Sequence, residues 1–301
     1  MTDIPFDRSI PQSPGEVAQI SPLVRRVVAG NAGPFTFTGT CSYIVGQRDV
    51  VIIDPGPDDP AHIGRLQSAI AGERLHAILC THTHRDHSPA ARALHDATGA
   101  PIVGCAPHHA ARALAQGEPN LLDAANDLAY RPDRILADGE HFDWGGLTLE
   151  AIATPGHTMN HLTFAFAAEN ALFSGDHVMA WSTSIVAPPD GAMGPYMASL
   201  EKLRQREERL YWPGHGGPVR EPKSFVPMLL GHRRQREAAI LARLKAGDRL
   251  IPEIVLQLYI GLDPALRGAA ALSVFAHLED LVARGLAKTE GDATLDSAYS
   301  V

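Results

Sequence analysis

The chain has 301 residues, 45% of them hydrophobic and 20% charged, with a formal net charge of −8 at pH 7. That length holds one large domain, or a large domain with a small one, and the composition is that of an ordinary globular core. The negative balance argues against a strong overall pull toward nucleic acid or anionic membrane, and leaves only local basic patches for such contacts.

The first clear element is Asp49-Val50-Val51-Ile52-Ile53-Asp54-Pro55-Gly56, in which apolar β-formers run into a Pro-Gly turn and predict a buried strand. A short helix from Pro60 to about Ala71 follows. A second buried strand, His76–Cys80, leads into a histidine-rich loop. Ser88–Thr98 reads as a helix with Ser88 as N-cap and Pro89 in its first turn. Pro101–Gly104 reads as a strand and Pro107–Gln116 as a helix. Strand and helix therefore alternate, as in a layered α/β domain. Next come two predicted hairpins, Glu140–Asp143 with Leu147–Ala153, and His161–Ala167 with Ala171–Ser174. A helix over about Tyr196–Arg206 and a strand at Leu210–Trp212 close this part, which suits two mixed sheets with outer helices. From Pro222 the pattern is helical: Ser224 to about Ala246, Ile251–Ile260 and Pro264–Arg284. A small hairpin, 285–289 with 293–295, then completes the outline of a winged helix.

The loop after the second strand reads Thr81-His82-Thr83-His84-Arg85-Asp86-His87. His82, His84 and Asp86 share one parity of an extended backbone, so their side chains can converge. His87 joins them if the chain turns, as Pro89 and the following helix imply. So many polar groups at a strand end without partners would be costly, which favours a metal site. Downstream, His157 in Pro155-Gly156-His157, Asp176 in Ser174-Gly175-Asp176 and His215 in Gly214-His215-Gly216 each follow a strand, with glycine alongside. Together these make seven N/O ligands, enough for two divalent ions. Zn2+ suits the set best, and Mn2+ or Fe is also accepted.

This order of ligands resembles the metallo-β-lactamase superfamily, in its glyoxalase-II and ribonuclease-Z-like branch. The resemblance implies an αββα sandwich over residues 20–220. It also implies that His82, His84 and His157 bind a first metal, that Asp86, His87 and His215 bind a second, and that Asp176 bridges them. Asp54 would support the histidine loop from behind. Gly39-Thr40-Cys41-Ser42-Tyr43-Ile44-Val45 looks like the family's N-terminal strand. Gly231-His232-Arg233 through Arg236-Glu237, with the winged-helix-like tail at 221–301, resembles the β-lactamase-like protein 2 subgroup. Ser88-Pro89-Ala90 departs from the Ser-Gly-Gly often found there.

The reading is a binuclear metal-dependent hydrolase. A hydroxide between the metals attacks a carbonyl or phosphoryl centre, and Asp86 both ligates and orients it. The expected substrate is a small-molecule ester, thioester or lactone. A single-strand-specific endoribonuclease is the rival, supported by the Arg-rich helix after Pro222 and opposed by the net charge. A diiron redox protein shares the ligand pattern but would need a flavin domain that the chain lacks room for. His232, at the pocket edge, is a candidate to protonate the leaving group, Trp181 and Tyr196 are candidates to line the cleft, His108 is expected to be exposed at the start of a helix, and His161 carries no expected role. Three scattered cysteines, no apolar run of ~18 residues and an acidic N-terminal stretch point to the cytoplasm, with no membrane partner. A homodimer is one oligomeric form open to the chain.

Overall fold

Central strands buried on both faces build two facing sheets. The computed structural model describes residues 4–9, 12–116, 118–120 and 123–301. The first sheet runs in chain order through β1 (Val17–Ser21), β2 (Val24–Val28), β3 (Cys41–Gln47), β4 (Asp49–Ile53), β5 (Arg74–Cys80), β6 (Ile102–Gly104) and β7 (Arg134–Ile135). Its pairs are antiparallel up to β4 and parallel beyond. The second sheet consists of β8 (His141–Trp144), β9 (Leu147–Ala153), β10 (Leu162–Phe166), β11 (Ala171–Gly175) and β12 (Leu210–Pro213), adjacent in that order.

The period of two decides what each strand buries. In the second sheet Phe164, Phe166, Phe173 and Trp212 join the core shared with the first sheet. Their neighbours Ala165, Leu172 and Tyr211 face the other way, into a core with α3 (Met193–Arg204) and α4 (Pro222–Lys245). The outer face of the first sheet is covered by α1 (Pro60–Ala69) and α2 (Ala90–Thr98), through Ile63, Leu66, Ala91 and Leu94. Helix, sheet, sheet, helix is the resulting layering. α4 begins in the second core with Phe225 and Val226 and ends in a third with Ile240 and Leu244. That third core holds α5 (Ile251–Leu258) and α6 (Arg267–Ala283), together with Tyr299 of a terminal hairpin. No helix among the described residues is long and apolar enough to cross a membrane.

Four local expectations differ from the structure. Residues 107–116 form an irregular strap, not a helix. Ala111 N–H donates to Pro189 O at 2.7 Å, and Arg112 pairs with Glu118 and Glu279 at 2.6 Å each, so long-range partners outweigh local propensity. Ser88 does not cap α2; its Oγ donates to Asp127 at 2.7 Å, and Pro89 takes the cap position. α3 starts at Met193, three residues ahead of Tyr196. The terminal hairpin pairs β13 (Lys288–Thr289) with β14 (Tyr299–Ser300), not with 293–295, because burial of Tyr299 selects the later segment.

Candidate metal centre

The centre forms where strand ends of both sheets meet. Thr81 O accepts from Leu162 N at 2.8 Å and so ties the end of β5 to the start of β10. Loops leaving β5, β9, β11 and β12 then bring their side chains to one place, beyond the carboxyl ends of the strands. All seven predicted residues are there. Donor atoms of His82, His84, His157 and Asp176 lie within 4.8 Å of one another, and so do those of Asp86, His87 and His215. The groups adjoin: His215 Nε2 is 3.1 Å from Asp86 and 3.4 Å from Asp176.

Each imidazole is aimed by what its other nitrogen touches. His87 Nδ1 is 3.0 Å from Asp54 Oδ2, His157 Nδ1 donates to Ile185 O at 2.6 Å, and His82 Nδ1 is 3.0 Å from Thr81 Oγ1. His215 Nδ1 faces Gly39 O at 3.3 Å. A carbonyl only accepts, so the Ile185 contact puts the proton on Nδ1 and leaves the Nε2 lone pair of His157 toward the cluster. Asp54, at the end of β4, also accepts Thr81 N–H at 2.7 Å and Thr81 Oγ1 at 2.8 Å, and so sets the start of the histidine loop.

The donor set fits two divalent cations. Ring nitrogens face each other at 3.0 Å (His82 with His84, His157 with His84) and 3.3 Å (His87 with His215), close enough to share a cation. Asp176 Oδ1 is buried without a hydrogen-bond partner. Burial and neighbouring imidazoles hold His82 well below the ordinary histidine range, and His84 at about 3. Both are neutral at pH 7. In the second group burial opposes charge, but Asp86 and Asp176 outweigh it, raising His87 well above the ordinary range and bringing His215 to about 10. A cation entering there displaces protons.

Gly214 makes room for this packing. A Cβ on it would stand 2.5 Å from both Asp176 Oδ1 and His87 Cε1. The buried Thr40 Oγ1 reaches Asp86 at 3.3 Å, and the half-buried Phe37 stacks on Trp181 with ring centres 4.8 Å apart. The stack lies against Gly216, beside His215, and Phe35, two residues before Phe37 in the chain, is 54% exposed.

Other expected roles change. Tyr196 is fully buried, donating to His177 O at 3.2 Å, and so packs the core and not the cleft. His232 lies half-buried on α4, and it is its neighbour Arg233 that reaches toward the centre. His161 carried no sequence signal, yet its Nε2 accepts Asp176 N–H at 3.1 Å. His108 is not exposed but faces the buried Asp190 at 3.4 Å.

Residues 35–215 match the Metallo-beta-lactamase superfamily, and residues 251–296 match the Beta-lactamase associated winged helix domain. An atrochrysone carboxyl ACP thioesterase of Aspergillus fumigatus is 32% identical over 245 residues, covering 79% of this chain and 70% of that protein. Another protein of that name, from Aspergillus terreus, is 31% identical over 92% of this chain and 82% of its own length. Two solved structures share the fold. A Burkholderia ambifaria beta-lactamase domain protein has a TM-score of 0.79 at 22% identity, covering 99% of this chain and 96% of its own. A metallo-beta-lactamase family protein of Thermus thermophilus has a TM-score of 0.74 at 23% identity, covering 94% and 99%. The chain thus belongs to the metallo-beta-lactamase superfamily and is a hydrolase of that fold with a C-terminal winged helix domain.

Proposed function

We propose that the chain hydrolyses an acyl thioester, of the kind presented on an acyl carrier, at a two-metal centre. The observation that carries this is the pair of adjoining donor groups with Asp176 between them. His82, His84 and His157 would hold one ion, Asp86, His87 and His215 the other, and Asp176 both. Two divalent ions, zinc by preference with Mn2+ or Fe as alternatives, would bring the pKa of a water between them toward neutrality and would offset charge growing on a carbonyl oxygen.

The chain's own residues do the rest. Asp86, whose side chain is 25% exposed, faces the opening and orients the attacking water by accepting its hydrogen. His161 and Asp54 hold Asp176 and His87 in place. The stacked Phe37 and Trp181, with Phe35, offer apolar surface to the acyl group. An alkyl thiolate, with a pKa of about 8.5, leaves without a dedicated proton donor. The thioesterase names of the relatives point to the same bond. Division of the chain at about residue 220 follows, with the donors before it and the winged helix after. The buried free thiols Cys41, Cys80 and Cys105 accord with a reducing cytoplasm.

A substrate panel on zinc-loaded protein tests the reading. An N-acetylcysteamine thioester is set against a lactone, a β-lactam, a bis-aryl phosphate and single-stranded RNA. Thioester cleavage that stops on chelation and in Asp86→Ala is expected. Preferential, salt-sensitive RNA cleavage would replace the thioesterase with a nuclease.

A further inference from the structure

Arg233 sits on α4, in the C-terminal part of the chain, yet it grips the loop behind the metal centre. It is 4% exposed. Its Nη2 donates to the carbonyl of Ser184, its Nη1 to Ser273 Oγ on α6 at 3.4 Å, and its guanidinium lies 5.3 Å from the Tyr196 ring centre. Among the described residues no carboxylate pairs with it, and its Nε has no partner. A buried charge without a counterion costs several kcal/mol to desolvate, and an apolar side chain would fill the same space at less cost. Packing therefore does not account for an arginine here, whereas its directed donors do.

What it grips is a dipeptide that serves two donors at once. Ser184 Oγ donates to the carbonyl of Asp176. The next carbonyl, Ile185 O, accepts His157 Nδ1 at 2.6 Å and so sets that ring's tautomer and direction. We infer that Arg233 is a positioning residue: it clamps Ser184-Ile185, and through them it presents His157 and Asp176 to the metal, tying the C-terminal helices to the centre. The inference rests on the two-metal reading. Arg233 itself touches neither ion nor substrate.

Stepwise Co2+ titration of the full-length apoprotein, followed by calorimetry and by the cobalt d–d absorption, tests it in wild type, Arg233→Met and Arg233→Lys. In Arg233→Met one binding step is expected to weaken by about 10-fold or more while the other stays within about 3-fold, with an altered d–d band. Arg233→Lys should recover part of the loss, because an ammonium still reaches one carbonyl but lacks the fork. Two wild-type steps with a wild-type band in Arg233→Met overturn the inference. So does an equal loss at both steps that follows a fall in apoprotein melting temperature. If Arg233→Met does not fold, Ser184→Ala, which removes the link to the Asp176 carbonyl, must weaken cobalt binding at both steps, since Asp176 would hold both ions, and wild-type binding there overturns the inference. Wild-type protein that takes up fewer than two cobalt ions instead overturns the two-metal reading beneath it.

Discussion

Asp54 Oδ2 stands 3.0 Å from Nδ1 of His87, while Oδ1 of the same carboxylate accepts the backbone N–H of Thr81 at 2.7 Å. One buried side chain thus anchors both ends of the histidine loop. Asp54→Asn presents an amide N–H where His87 and Thr81 each offer a hydrogen. Metal affinity should fall by about 10- to 100-fold. Zinc titration by calorimetry measures this, and an unchanged affinity would show that His87 needs no such anchor.

Gly214 tests the tightness of the same centre. An added methyl meets Asp176 Oδ1 and His87 Cε1 at 2.5 Å, well inside van der Waals contact, so a donor must move. Gly214→Ala should lower kcat by about 100-fold or more, as misplacements of about 1 Å do. Gly217→Ala is the control, since its Cβ would meet nothing closer than Asp7 Oδ2 at 4.0 Å. Equal activity in the two variants would count against the assigned donors.

The aromatic stack bears on selectivity. Trp181→Ala removes the ring that stacks on Phe37 beside Gly216. Loss of that apolar surface should reduce kcat/KM for a long or ring-bearing acyl thioester by about 10-fold, and for an acetyl thioester by less than about 3-fold. Parallel losses on both substrates would mean that the ring supports the loop and does not touch the acyl group.

His277 sets an acid limit on folding. Burial, with Arg233 and Arg236 close by, holds it at about 3, against about 6.5 in an unfolded chain. Between those values the unfolded state binds a proton that the folded state refuses. Its contribution is therefore full above pH 6.5 and declines as pH falls toward 3, by about 2 kcal/mol at pH 5. In His277→Leu the drop in melting temperature from pH 7 to pH 5 should shrink by a few degrees. A pH slope equal to wild type would place the acid sensitivity elsewhere.

Much of the architecture was legible because it rests on local regularities. Val50 to Ile53 and the His76–Cys80 strand announce themselves by unbroken apolar runs, and the metal run lies within a single short loop. The N-terminal strands β1 and β2 were silent, because Arg25, Arg26 and Gln19 break the apolar pattern. The strap at 107–116 read as a helix for want of any local sign that Pro189, Glu118 and Glu279 would claim it. His161 looks ordinary in the chain, and Arg233 shows there only as part of the Gly231-His232-Arg233 motif. Their contacts with Asp176 and Ser184 form only in the fold.

By itself the sequence determined the layered α/β class, the winged-helix outline and the seven candidate donors, since periodicity, turn residues and ligand spacing are written in neighbouring positions. The tertiary structure brings them into two adjoining groups, and it alone decided which nitrogen of His157 and His87 faces inward and which side chains hold them there. Those outcomes depend on hydrogen bonds between residues such as His87 and Asp54, or Ser184 and Arg233, that meet only when the sheets close and the C-terminal helices pack.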